Sequence, residues 1–122
     1  MRHVLAAILL STIIGCAKPE PPPSRAGYWV EALRAPDVTV RKKAAFTLGN
    51  LATTDPAVVP ALIGAMKDAD AGVRCEAILA LMKGGAEAKE AIPILTAIQK
   101  RDRDARVCSY AARALVELQR RP

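Results

Sequence analysis

Three segments of the chain place apolar residues with one helical spacing. They are Asp37-Val-Thr-Val-Arg-Lys-Lys-Ala44-Ala-Phe-Thr-Leu48, Asp70-Ala-Gly-Val-Arg-Cys-Glu-Ala77-Ile-Leu-Ala-Leu81 and Asp104-Ala-Arg-Val-Cys-Ser-Tyr-Ala111-Ala-Arg-Ala-Leu115. Their common frame is Asp-x-x-Val-x-x-x-Ala-x-x-x-Leu, with the Asp positions 33 and then 34 residues apart. Val, Ala and Leu at this spacing form one apolar stripe on a helix, so Val40, Ala44, Leu48, Val73, Ala77, Leu81, Val107, Ala111 and Leu115 are the expected core. A shorter pattern precedes each segment: Trp29 and Leu33, then Pro60, Leu62 and Met66, then Pro93, Leu95 and Ile98. It recurs at the same period, so each repeat holds two helices, with Trp29 packing where Leu62 and Leu95 pack. Proline is tolerated in a first helical turn, where the amides have no partner, and an Asp ahead of the second helix can cap its free N–H groups. Gly49, Gly84 and Gly85 read as helix ends.

The frame Asp-x-x-Val-Arg-x-x-Ala-x-x-x-Leu-Gly, complete in the first copy, resembles the HEAT repeat, in the short form also found in phycobilisome lyases. The resemblance covers residues 27–119 or so. It implies an all-α fold, a right-handed α-solenoid of about three HEAT-like helical pairs, with repeats at about 27–53, 54–85 and 88–120 in a domain spanning 27–122. It also implies that Asp37, Asp70 and Asp104 cap the second helices, and that Arg41 and Arg74 join a hydrogen-bonded ladder along the stack. The third copy has Cys108 where that Arg belongs, and a terminal repeat has no successor to bond.

The N-terminus has a different pattern. Arg2 and His3 precede an apolar run from Val4 to Ile14, too short to span a bilayer, which ends Ile13-Ile14-Gly15-Cys16. The order apolar, apolar, small, Cys resembles a bacterial lipobox. That implies a signal peptide over 1–15, removed to leave an acylated Cys16 as a palmitate-type lipid anchor. Two or three acyl chains hold far more firmly than one. Ala17, with no Asp in its place, implies outer-membrane sorting in a Gram-negative host. The sequence KPEPPPSR from Lys18 to Arg25 cannot form a helix and reads as a semi-rigid spacer, so residues 16–26 form anchor and linker.

Composition then narrows the chemistry. Apolar residues make up 52% of the 122-residue chain and aromatics only 3%, so the interior is built of Ala, Leu, Val and Ile. The charge of +6 is spread through the repeats, and the clusters Arg41-Lys42-Lys43 and Lys100-Arg101-x-Arg103 lack the interleaved aromatics that stack bases; no nucleic acid is expected. The single His lies in the export segment, which leaves no usual triad, few zinc sites and no common general base. No catalytic residue, metal site or cofactor is expected, and the chain is read as no enzyme. Glu87, Glu90 and Asp102 make no convergent pair. Cys75 and Cys108 are expected to stay free, because neighbouring helix axes lie about 8–10 Å apart and a disulfide needs Cα atoms within about 7 Å.

A surface remains. Rotation by 100° per residue, the α-helical step, turns Lys42, Lys43, Phe46 and Asn50 away from the core. Their equivalents are Cys75, Glu76, Leu79 and Lys83, then Ser109, Tyr110, Arg113 and Glu117. In HEAT arrays these helices line the concave side, where Phe46, Leu79, Met82 and Tyr110 would stand amid mixed charge. The residues expected to bind a partner are Lys42, Lys43, Phe46, Asn50, Leu79, Met82, Lys83, Tyr110 and Arg113. The function expected is a membrane-anchored protein-interaction scaffold of the bacterial envelope, bound to the bilayer through Cys16 and to an unknown protein partner. The alternatives are a lyase-type enzyme or subunit, prompted only by the repeat subtype, and a purely structural envelope lipoprotein.

Overall fold

The structure is a computed structural model that describes residues 24–52, 55–84 and 86–122. Segment 1–15, Cys16, Ala17, the prolines of the spacer and Gly85 lie outside the described residues. The rest is helical, with no strand among the described residues. Three pairs follow one another: α1 (Arg25–Ala32) with α2 (Val38–Leu51), α3 (Val58–Ala65) with α4 (Ala71–Met82), and α5 (Ile92–Arg101) with α6 (Ala105–Arg120). A single 3₁₀ segment, Ala86–Ala91, leads into α5. The second helices α2, α4 and α6 lie side by side in that order, each backed by its own first helix.

Local chemistry sets the helix ends. Ser24 caps α1, its Oγ accepting from Gly27 N at 3.0 Å, so the helix starts at Arg25, inside the stretch expected to be linker. The cap overrides the proline-rich context, because the last proline precedes Ser24 and leaves the following amides free. After α1 the chain tightens through Arg34 N to Glu31 O (3.0 Å) and Ala35 N to Ala32 O (3.2 Å), and Pro36 stops it. Asp37, Asp70 and Asp104 are the N-cap residues of the second helices, accepting from Thr39 N (2.8 Å), Val73 N (3.0 Å) and Arg106 N (2.8 Å). Pro93 sits in the first turn of α5.

The core is aliphatic. Leu48, Leu62, Met66, Ile78, Leu81, Leu95 and Leu118 are its largest fully enclosed side chains, and it contains no polar or charged residue. Each such Leu contributes roughly 1.5–3 kcal/mol by leaving water. Two expected core members behave differently. Val40 is 39% exposed although Val73 and Val107, its repeat equivalents, are fully enclosed. Those two have a preceding helical pair to cover them, whereas α2 faces none among the described residues. Trp29 is likewise only half-buried, while Leu62 and Leu95 at its repeat position are enclosed.

Gly49 also departs from expectation. It is no helix end: it lies buried inside α2, where an added Cβ would stand 2.9 Å from both Cα and Cβ of Ala80 on α4. A missing side chain lets the two backbones approach. Met82 holds the equivalent position on α4, and the α4–α6 contact is less extensive than the α2–α4 contact. Gly84 does follow a helix, its N–H donating to Leu81 O at 2.9 Å just past the end of α4.

Candidate functional site: a ladder and the second-helix face

Two sets of charged residues lie along the stack. The first is a ladder. Arg41 donates from Nη1 to the carbonyls of Ala35 (2.8 Å) and Pro36 (2.9 Å) in its own turn. Its Nε and Nη2 reach forward to Asp68 of the next repeat at 2.9 and 3.3 Å. Arg74 repeats the arrangement, with Asp68 O (2.8 Å) and Ala69 O (3.1 Å) behind it and both carboxylate oxygens of Asp102 (2.9 and 3.0 Å) ahead. Each acceptor also takes a backbone proton two residues on, Asp68 from Asp70 N and Asp102 from Asp104 N. At the corresponding point of the third repeat the Cys108 thiol donates to Asp102 O at 3.3 Å, keeping the backward contact and losing the forward one. The first repeat has Ala35 where the others have Asp68 and Asp102.

The rungs are poorly solvated and bidentate, with side-chain exposure of 15% and 8% for Arg74 and Asp102. Burial alone would raise the Asp102 carboxyl, but the hydrogen bonds and charge of Arg74 outweigh it and hold that group below the usual carboxylate range. Asp104 is also held low, at about 2, chiefly by its side-chain bond to Arg106. Arg74 is correspondingly raised by its bond to Asp102. Asp102, read from the sequence only as making no convergent carboxylate pair, is the far end of a rung. Its signal was present as an Asp two places before the capping Asp, in the second and third copies only.

The second set is the outer face of α2, α4 and α6. Lys42, Lys43, Phe46, Asn50, Lys83 and Arg113 are exposed, and Leu79, Met82 and Tyr110 are half-buried. The structure joins several of them directly. Lys83 Nζ stands 4.9 Å from the centre of the Phe46 ring and donates to Asn50 Oδ1 at 3.1 Å, tying α4 to α2. Lys43 Nζ stands 5.8 Å from the centre of Trp29, whose indole meets Tyr28 edge-on. Both distances suit cation–π attraction. Gly72 leaves the space that Lys42 crosses, since a Cβ there would lie 3.3 Å from Lys42 Cε.

Farther along, Met82 and Arg113 line a hollow of about 360 Å³ with Ala112, Val116 and Glu117, and Val116 is 51% exposed. Tyr110 and Arg113 line a second hollow with Ala105, Arg106 and Ser109. The two hollows share Arg113.

The family model for HEAT repeats matches residues 28–116 of this chain. The chain belongs to the HEAT-repeat family. The described residues are all helical, as a HEAT-type solenoid requires, and HEAT repeats generally mediate protein–protein interaction. None of the curated proteins matches it.

Sequence reasoning missed two features of this HEAT array. Val116 carries exposed apolar surface on α6, and Arg121 donates to the carbonyls of Met82 and Gly84, closing the end of α4. Cys75 and Cys108 are both free and half-buried, and burial pushes the Cys75 thiol up. Among the described residues no cluster of His, Cys, Asp and Glu could hold a metal ion. No helix there is long and apolar enough to cross a membrane.

Proposed function

We propose that the chain is an interaction module of a bacterial cell envelope, tethered by acylated Cys16 and docking a protein on the outer face of its second helices. The observation that carries the reading is Phe46, 55% exposed on the α2 side of that face and flanked there by Lys42, Lys43 and Lys83. An exposed aromatic amid a polar rim is how interface anchors are presented. The tether is supported by the sequence Ile13-Ile14-Gly15-Cys16 after a short apolar run. A spacer of prolines would hold the array off the bilayer. Such a module needs positioning and surface, and no catalytic step.

Crosslinking in native membranes followed by capture of the full chain tests the docking. One reproducible protein partner is expected, lost on Phe46→Glu or Leu79→Lys in variants that keep their helical circular dichroism. Recovery of no partner, or of one indifferent to both changes, sinks the reading. Mass spectrometry tests the tether: chains should begin at an acylated Cys16, and an unmodified Cys16 or a different start refutes it.

A further inference from the structure

The charges around Phe46 are unbalanced in a way the fold does not use. Five carboxylates of the array, Glu31, Asp68, Asp102, Asp104 and Glu117, are engaged with arginines. Lys42, Lys43 and Lys83 make no ion pair among the described residues. They border one hollow: Lys42 and Lys43 line a space of about 310 Å³ with Thr39, Phe46 and Glu76, Lys43 also standing by Trp29, and Lys83 stands over Phe46. Three lysines and a half-open phenyl ring therefore share one patch, with Glu76 as the carboxylate lining the hollow and Asp70 near the end of Lys42. Unpaired ammoniums repel one another, and an incoming anion relieves that repulsion.

We propose that this patch receives an acidic peptide segment, its carboxylates meeting Lys42, Lys43 and Lys83 and an apolar side chain between them covering Phe46. The assignment rests on the docking function proposed above and adds the chemistry of the partner. Charge complementarity selects an acidic occupant, and the ring selects one with an apolar residue in its midst. A nucleic acid fits less well, because base stacking needs a free aromatic face and successive platforms. Phe46 is the aromatic lining this hollow, and an ammonium already stands near its ring.

The probe is a fluorescent peptide of repeating Glu-Glu-Leu triplets, titrated into the full chain. Its controls are a Lys-Lys-Leu peptide, a single-stranded oligonucleotide of equal charge and anionic phospholipid vesicles. Binding of the acidic peptide is expected to weaken as salt rises. It should fall by about tenfold or more in the triple variant Lys42→Gln, Lys43→Gln, Lys83→Gln. A variant of equal charge loss elsewhere, Lys67→Gln, Lys100→Gln, Arg101→Gln, should bind as the parent does. The idea is overturned by absent binding, by equal loss in both triple variants, or by stronger binding of the oligonucleotide or the vesicles. The two proposals fail separately: a crosslinked partner lost on Phe46→Glu but kept by the Lys42, Lys43, Lys83 variant leaves docking standing and removes the acidic segment.

Discussion

Single residues in this chain carry meanings that their type alone does not reveal. Glycine after a leucine at the end of a repeat frame reads as a helix stop, yet Gly49 lies within α2 and serves as a contact. Its role is steric, since a methyl group would meet the Ala80 backbone at 2.9 Å and cannot be accommodated by a rotamer change. Two effects compete on Gly49→Ala. Helix propensity favours alanine by roughly 1 kcal/mol, whereas forcing an atom into a closed contact costs about 1–3 kcal/mol. A methyl against backbone sits at the upper end of that range, so net destabilisation is expected, read as a lower midpoint in urea. Adding Ala80→Gly should restore only part of it, because the Ala80 Cα is as close as its Cβ. A midpoint at or above the parent's would show that the helices separate without cost.

Elements are joined by the ladder, and the sequence showed only half of it. The capping Asp and the Arg four residues on recur in register, so their periodicity was visible. The acceptors were harder to see, because Asp68 and Asp102 are absent from the first copy, where Ala35 stands. Each rung runs from the Arg of one repeat to the Asp of the next, so the acceptor belongs to a different copy of the frame from its donor. Helix pairing was legible for the same reason that the core was, namely a regular apolar stripe. The groupings around Phe46 were not, since they depend on how far α4 stands from α2.

Removing one end of a rung leaves the other charged and only partly solvated. Arg74→Ala is expected to cost about 3 kcal/mol, and Arg74→Lys less, since an ammonium keeps the charge but not the fork. Because Asp102 is held below its ordinary range in the folded chain, the parent's advantage over Arg74→Ala should be complete above about pH 4. It should shrink as pH falls through the folded value and Asp102 takes up a proton. Urea titrations of both chains at several pH values measure this, and an advantage that grows in acid contradicts the rung.

At the scale of the whole molecule, identical repeat positions differ by where they stand in the stack. Val40 and Val73 occupy the same place in the frame, but Val40 is 39% exposed and Val73 is fully enclosed, because among the described residues a helical pair precedes the second and none precedes the first. Repeat arrays draw their stability from interfaces between neighbours, so a side chain counts for as much as the neighbour that covers it. Val73→Ala removes two methyl groups from water-free surroundings and leaves a cavity, which together cost about 2 kcal/mol. Val40→Ala removes the same atoms from a site already in contact with solvent and should cost about 0.5 kcal/mol. For a domain of this size the first change lowers the melting temperature by about 10 °C and the second by only a few degrees. Three pairs that share one continuous core should melt together, so both variants are expected to keep a single transition in calorimetry. Equal losses at the two positions would mean that something covers Val40 as thoroughly as the second repeat is covered, and two transitions would mean that the pairs fold independently.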